Sequence, residues 1–188
     1  IAPVAYYSNF CQEALAYNPT DGTTMVVYYG AQWEHGCFLW DGLALTSLPA
    51  PAMFGSSIGH SVCLVYDASR NVFVYKDPLG IQEFNGTGWD FTFFYTGGTQ
   101  FGAWNQLQMV YTPVHGVILT NGPTLLQYDG GTPKPLKFSG NAPPQRFGHR
   151  IAFDTTLQAV VMFGGEGASG KLNDTWKFYV GPDQWFEI

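Results

Sequence analysis

Two glycine-bounded motifs in this sequence match signatures of catalytic or cofactor-binding sites. Residues 55–59, Gly-Ser-Ser-Ile-Gly, fit the G-x-S-x-G turn that carries a nucleophilic serine, and His60 follows. That turn needs a helix after the serine, whereas a strand pattern follows here. Residues 165–170 fit the dinucleotide-binding pattern G-x-G-x-x-G, yet 172–178 read as a turn and a strand instead of the required helix. We therefore predict that both motifs are ordinary loops.

The histidines are not spaced as metal ligands. No H-x-x-x-H or H-E-x-x-H pattern occurs, and no set of Tyr, Cys and His residues stands out as a copper centre, so we predict no metal and no cofactor. Gly-His occurs at 59–60 and at 148–149, in equivalent places of the repeat described below. There we expect the imidazole to tie neighbouring loops together through backbone hydrogen bonds. The four histidines are His35, His60, His115 and His149.

The three cysteines, Cys11, Cys37 and Cys63, form no C-x-x-C pair, which disfavours a zinc framework. At most one disulfide can form within one chain, and the spacing leaves its identity open. Two N-glycosylation patterns begin at Asn85 and Asn173. Together with a composition poor in Lys and rich in Tyr, Trp, Gly and Thr, they favour a secreted or cell-surface protein.

The composition excludes several classes of protein. Of the 188 residues, 46% are hydrophobic and 17% aromatic, which is too many for a disordered chain. The net charge is −6, with 8 basic and 14 acidic residues, so a nucleic-acid partner is not expected. No apolar stretch approaches the roughly 20 residues of a spanning helix, and membrane insertion is not expected either.

The sequence repeats and predicts an all-β fold. No segment has the apolar period of a helix, whereas short β-branched and aromatic runs alternate with Gly, Pro, Asn and Asp. An aromatic residue precedes a turn at Tyr17, Tyr66, Tyr111 and Phe153. A second series has hairpin-type turns and spacings of 44 residues: Trp40-Asp41-Gly42, Phe84-Asn85-Gly86 and Tyr128-Asp129-Gly130. We predict structural roles for these aromatics, and for Trp176 and Trp185.

Each repeat predicts four strands, which in the last unit are 150–153, 159–163, 175–179 and 184–188. Four antiparallel strands in a repeat of about 45 residues are typical of a β-propeller blade. The predicted blades span 11–57, 58–101, 102–144 and 145–188. Residues 1–10 are predicted to form an extra N-terminal strand with no unit of its own.

The last repeat resembles a kelch repeat. It has R-F-G-H-R-I-A-F-D at 146–154, V-V-M-F-G-G at 160–165, L-N-D-T-W at 172–176 and a closing Trp185. The resemblance is more degenerate in the other units, although Gly59-His60 recurs. It implies a kelch propeller, a fold that hosts scaffolds, sugar binders and a few enzymes. Kelch propellers usually have about six or seven blades. The four blades here therefore imply part of a larger propeller, completion by a partner, or a closed four-bladed ring.

Strand alternation places the longer loops on one side of the predicted blades, where the second-to-third and blade-to-blade connections lie. Trp33 and Trp104 are on these loops, where an indole can stack on a sugar ring or anchor a protein partner. Packing between blades is the alternative for both. The polar residues predicted beside them are Glu34, His35, Asn105, Arg146 and Glu166.

We predict a non-enzymatic recognition module that binds a protein or glycan partner through this loop-rich face. The reason is that the loops are polar and aromatic, yet no coherent set of acid, base, nucleophile or metal ligands accompanies them. One alternative is a carbohydrate-active enzyme of the sugar oxidase or mutarotase type, which would use Glu34, His35 or Glu166. Another is a structural subunit of a surface or filament assembly, for which self-association is expected.

Overall fold

The described residues form four antiparallel sheets of four strands each and one two-stranded hairpin. The computed structural model describes residues 12–29, 35–52, 62–95 and 106–188, and none of these is α-helical. Within each four-stranded sheet, strands that follow one another along the chain are hydrogen-bonded neighbours, and one short hairpin is inserted in the last sheet. Each sheet is therefore built from its own stretch of sequence. The all-β prediction is therefore confirmed. The strand predicted at 1–10 lies outside the described residues.

The strand bounds follow the predicted repeats. Sheet 1 contains β1 (Gln12–Asn18), β2 (Thr23–Tyr29), β3 (His35–Trp40) and β4 (Leu45–Leu48). Sheet 2 contains β5 (Cys63–Asp67), β6 (Val72–Asp77), β7 (Gly80–Phe84) and β8 (Trp89–Phe94). Sheet 3 contains β9 (Gln108–Thr112), β10 (Gly116–Thr120), β11 (Leu125–Tyr128) and β12 (Lys134–Pro135). Sheet 4 contains β13 (Arg150–Asp154), β14 (Ala159–Phe163), β17 (Thr175–Tyr179) and β18 (Gln184–Glu187), with the hairpin β15 (Glu166–Gly167) and β16 (Gly170–Lys171) inserted.

The turn between the first and second strands is closed by a side chain in every sheet. Asn18, Asp67 and Asp154 each follow the recurring aromatic, and their Oδ1 atoms accept the backbone N–H two residues on, at 2.8, 3.0 and 2.8 Å. Thr112 closes its turn through its hydroxyl, which accepts the N–H of His115, three residues on, at 3.1 Å. These short side chains mimic a backbone turn, which explains why a turn-forming residue recurs directly after the aromatic.

The second series marks the turn between the third and fourth strands. Its glycines, Gly42, Gly86 and Gly130, have φ values of 95°, 96° and 103°. Residues that have a Cβ are strained at such positive φ values, which explains why glycine recurs there. Asp41 and Asn85 support their turns by accepting two backbone N–H groups each.

Neighbouring sheets pack face to face in one consistent way. We call A face the face of a sheet that carries the aromatic residue near the end of the first strand, and B face the opposite one. The first strands contact one another, β1 with β5, β5 with β9, and β9 with β13. The B face of each sheet packs against the A face of the next, with an apolar cluster at each of these interfaces. The defining aromatics are Tyr17, Tyr66, Tyr111 and Phe153.

Buried side chains from both sheets fill each interface. Sheets 1 and 2 meet through Ala16, Met25, Val27, Tyr66 and Phe73. Sheets 2 and 3 meet through Val74, Ile81, Met109, Val117 and Tyr128. Sheets 3 and 4 meet through Val110, Ile118, Val160, Phe178, Trp176 and Trp185. Each fully buried aliphatic side chain contributes about 1.5–3 kcal/mol, so these interfaces hold the sheets together. The structural roles predicted for Trp176 and Trp185 are confirmed.

Two aromatics predicted to be structural lie at the surface instead. Tyr17 and Trp40 are 58% and 41% exposed, whereas Tyr66 and Tyr128, at the same places in sheets 2 and 3, are 6% and 0% exposed. The reason is that the A face of sheet 1 has no preceding sheet among the described residues. The B face of sheet 4 is likewise uncovered there and exposes Phe163 and Phe186.

Cys37 and Cys63 are buried and free, so they are not disulfide-bonded to each other. Cys37 lies between sheets 1 and 2 and Cys63 between sheets 2 and 3. Burial raises the pKa of the Cys37 thiol to about 11, and burial also raises that of Cys63. Both thiols therefore behave as small apolar core groups. Cys11 lies outside the described residues.

Candidate functional site

Three of the seven predicted site residues lie within the described structure. Trp33, Glu34, Trp104 and Asn105 lie outside it, and their binding roles stay predictions. His35 begins β3 and is exposed. Arg146 lies in the loop that joins sheet 3 to sheet 4, and Glu166 lies in the connection between β14 and β17. The structure brings these last two into one region through the segment 145–149.

Arg146 is buried and bound within the protein. Its guanidinium donates from Nη1 and Nη2 to the two carboxylate oxygens of Asp174, at 2.6 and 2.8 Å. Nη1 also donates to the carbonyl of Gly164 at 3.0 Å, and Nε donates to the carbonyl of Pro144 at 3.0 Å. The side chain is 0% exposed. Arg146 thus links three loop segments through hydrogen bonds. Its role at the site is to position these segments.

The carboxylate of Asp174 is held in its ionised form. The hydrogen bonds from Arg146 lower the pKa of Asp174 to about 2, and a further bond from Trp176 Nε1, at 2.7 Å, acts in the same direction. A bidentate pair of this kind fixes both side chains in orientation as well as in charge. The loop between β14 and β17 is therefore fastened at its far end to the segment that precedes β13.

The diglycine after β14 lets the same two segments approach closely. Gly165 has a φ of 96°, and a Cβ on it would lie 2.8 Å from the carbonyl oxygen of Phe147 and 3.0 Å from His149. Only glycine fits there without displacing backbone. Directly beyond it, Glu166 and Phe147 exchange two backbone hydrogen bonds, of 2.9 and 3.0 Å. This bridge makes the two residues cross-strand neighbours.

An exposed aromatic therefore lies beside an exposed carboxylate. Residues directly opposite each other in an antiparallel bridge point to the same face, with Cβ atoms about 4.5–5.5 Å apart. Phe147 is 47% exposed, and Glu166 is exposed as well. Two residues before Phe147 along the chain, the amide of Gln145 donates to the amide oxygen of Gln106 at 2.9 Å. We call Gln106, Gln145, Phe147 and Glu166 the loop surface.

His149 connects this region to sheet 3. Its Nε2 lies 3.2 Å from the carbonyl oxygen of Thr120, which identifies Nε2 as the protonated nitrogen. Nδ1 is buried without a hydrogen-bond partner among the described residues. Burial, together with the positive charges of Arg146 and Arg150, lowers the pKa of His149 to about 4. The role predicted for the Gly-His position is confirmed for His149, whereas His60 lies outside the described residues.

The motif at 165–170 is a hairpin and not a dinucleotide site. Gly165 precedes β15, Gly170 begins β16, and the next element along the chain is the strand β17. The helix that would direct its amino terminus at a pyrophosphate does not occur in this segment. The loop predicted for these residues is thus confirmed, with a short hairpin inside it. The serine motif at 55–59 lies outside the described residues.

Among the described residues, no group of three or more His, Cys, Asp or Glu side chains is placed to hold a metal ion. That part of the chain also contains no helix of the length and apolar character needed to cross a membrane.

Sequence reasoning missed Phe147 as a site residue. It stands inside the kelch-like motif R-F-G-H, where an apolar residue is expected to be buried. The available signal was its position between Arg146 and Gly148, outside the alternating pattern of β13. Gln106 and Gln145 belong to segments that the sequence assigns to the loop-rich side, but neither stood out from its neighbours.

No protein-family model matches this chain, and no curated protein matches it significantly. The candidate site is therefore defined by its own geometry.

Proposed function

We propose that the four sheets are blades of a kelch-like β-propeller, and that the chain is a non-enzymatic recognition module that binds a glycan or protein partner through the loop surface. The fold part is supported by the repeated packing of B face on A face and by the contacts between successive first strands. It is also supported by the kelch-like sequence of the last repeat.

The observation that carries the binding proposal is the exposed ring of Phe147 beside the carboxylate of Glu166. An aromatic ring offers a flat apolar face on which a sugar ring or an apolar side chain can stack. The carboxylate accepts hydrogen bonds from hydroxyl groups, and the amides of Gln145 and Gln106 supply further donors and acceptors. These are the few convergent polar groups beside an apolar contact that a binding site needs.

The loop surface is also held rigid, which lowers the entropic cost of binding. Arg146 fixes the segment on one side of Phe147, and His149 fixes it on the other. Backbone bonds tie Phe147 directly to Glu166. Loops carried in this way on a packed sheet scaffold are a common location for recognition sites.

The test is binding to a panel of immobilised neutral, N-acetylated and acidic oligosaccharides, followed by the variants Phe147→Ala and Glu166→Gln. We expect each variant to weaken retention of the bound glycan at least tenfold, roughly the effect of losing one central contact, without lowering the Tm. Leu43→Ala is the matched control, because Leu43 is an exposed apolar residue in the turn between β3 and β4. Binding that survives both variants would overturn the proposed site. If no glycan is retained, a protein is left as the partner.

A further inference from the structure

The two sheet faces that no other described residues cover retain the sequence pattern of buried ones. Tyr17 and Trp40 on the A face of sheet 1 occupy the positions at which Tyr66 and Tyr128 are buried by a preceding sheet. On the B face of sheet 4, Ala152 and Val161 are cross-strand neighbours, as Ala16 and Met25 are in sheet 1. These faces therefore match the two sides of a B-on-A interface that the chain itself already contains three times.

The interface between sheets 2 and 3 shows which positions meet. Cys63 lies three residues before the recurring aromatic Tyr66, and its Sγ is 3.8 Å from the carbonyl oxygen of Leu107, which lies four residues before Tyr111. Both side chains belong to the same buried cluster. Glu83, one residue before the end of the third strand, accepts a hydrogen bond of 2.6 Å from Tyr128, the last residue of the third strand in the next sheet.

The same positions on the uncovered faces carry complementary groups. The residue of sheet 4 equivalent to Cys63 is Arg150, and the residue of sheet 1 equivalent to Leu107 is Glu13. Both are exposed, Arg150 on the B face with Ala152, and Glu13 on the A face with Leu15 and Tyr17. Where the internal interface has an apolar contact, the two free faces thus offer opposite charges.

A second pair of positions is also complementary. Lys177 is the equivalent of Glu83 by strand register, because it lies opposite Val161 in the second strand of sheet 4 as Glu83 lies opposite Val74 in that of sheet 2. The equivalent of Tyr128 is Trp40, which ends the third strand of sheet 1. A lysine ammonium over an indole is a favourable cation–π contact.

We infer that the partner covering these faces is a second copy of the same chain. The B face of sheet 4 in each copy packs against the A face of sheet 1 in the other, pairing Arg150 with Glu13 and Lys177 with Trp40. The inference rests on the proposed propeller fold, because propellers have about four to eight blades and two chains of four sheets complete a ring within that range. A two-fold arrangement uses both free faces at once and leaves none for further growth.

The first test is the molar mass of the purified chain by light scattering over a range of concentrations. We expect a species of twice the 20.7 kDa chain mass that dissociates on dilution. A wild-type protein that stays at the single-chain mass up to its highest soluble concentration would overturn the inference. A mass that grows beyond two copies would overturn the closed arrangement.

The second test reverses the charges at the predicted contact. Glu13→Arg alone and Arg150→Glu alone each place like charges at both interfaces, and we expect each to raise the dimer Kd at least tenfold. When the two single variants are mixed, one interface of the mixed dimer has the native pair and the other has the reversed pair. Mixing should therefore restore the dimer. Both residues are exposed, so the fold is retained, which circular dichroism verifies.

The matched control is Lys137→Glu, a charge reversal at an exposed lysine that lies outside strands β1–β18. We expect it to leave the dimer Kd unchanged. If both single variants dimerise as wild type does, or if mixing restores nothing, the pairing of Arg150 with Glu13 is wrong. The glycan-binding test uses different residues, so failure of one proposal is distinguishable from failure of the other.

Discussion

At the scale of single residues, titratable side chains whose pKa shifts on folding make the stability of the protein depend on pH. His149 is neutral in the folded protein because burial lowers its pKa from 6.5 to about 4. A base whose folded pKa is lowered contributes stability that is complete above its unfolded pKa and is lost as the pH falls toward the folded value. The free energy of unfolding should therefore decrease between pH 6.5 and about pH 4.

The variant His149→Gln tests this origin of the pH dependence, because the glutamine amide can still donate to the carbonyl of Thr120 but does not titrate. We expect urea unfolding of the variant to show a flatter profile than wild type between pH 6.5 and about pH 4. Identical slopes for the two proteins in this range would show that another group is responsible.

The ionisation of Asp174 affects stability in a separate and more acidic pH range. Its folded pKa is lowered from 3.8 to about 2 by the hydrogen bonds from Arg146, so its contribution is present above pH 3.8 and is lost as the pH falls to about 2. Asp174→Asn should remove this acid-sensitive contribution to the free energy of unfolding. At neutral pH it should also cost about 3 kcal/mol, because it leaves the buried guanidinium of Arg146 without a counter-charge. Urea unfolding at neutral pH and below pH 4 measures both effects, and an unchanged midpoint at neutral pH would contradict them.

Residue-level prediction from the sequence succeeds where the cause is local. The turn residues Asn18, Asp67 and Asp154 are recognisable because their side chains bond to backbone only two residues away. Arg146 is different, because its carboxylate partner is 28 residues distant and its burial depends on the loop that brings Asp174 back. A sequence pattern identifies a loop arginine and leaves its partner undetermined.

At the scale of elements, the inserted hairpin and its diglycine decide how the loops between sheets 3 and 4 pack. The variant Gly165→Ala places a Cβ 2.8 Å from the carbonyl of Phe147 and also strains a φ of 96°. We expect a loss of about 2–4 kcal/mol in the free energy of unfolding, from steric displacement and backbone strain together.

The control for this prediction is Gly170→Ala. Gly170 has a φ of 110°, but its Cβ would have no neighbour within 4 Å, so only the strain of about 1–2 kcal/mol is expected. Chemical denaturation of both variants measures the difference. Equal losses would mean that the contact between Gly165 and the segment 145–149 does not contribute to stability.

The main strands were predictable from the sequence, whereas the inserted hairpin was not. β17 has the predicted bounds, because its apolar residues alternate and a turn sequence lies on either side. β15 and β16 have two residues each, which is too short for any alternation to be seen. They form because Glu166 pairs with Lys171 and with Phe147, the latter a contact made only in the folded chain.

At the scale of the whole molecule, equivalent positions differ in energy because of their neighbours. Tyr17 and Tyr66 are both the aromatic residue that precedes the turn after a first strand, but they are 58% and 6% exposed. We expect Tyr66→Ala to cost about 3–4 kcal/mol, since it empties a site between two sheets. Tyr17→Ala should cost about 0.5 kcal/mol or less at a concentration where the chain is monomeric.

Thermal and urea unfolding at low protein concentration compare the two variants directly. A large loss of stability for Tyr17→Ala under those conditions would mean that the A face of sheet 1 is covered within the single chain. The sequence alone cannot distinguish the two tyrosines, because the repeat pattern records which face is apolar and not whether a neighbour is present.

Each of the four-stranded sheets is completed by strands from its own stretch of chain. Duplication or deletion of one such stretch in the gene would therefore add or remove a complete sheet. No strand would be left without its hydrogen-bonded neighbours. The number of units can consequently drift during evolution while each junction between units keeps its geometry. Shuffling whole units between homologous genes should likewise preserve folding where cuts fall in the connections between sheets, such as 136–149.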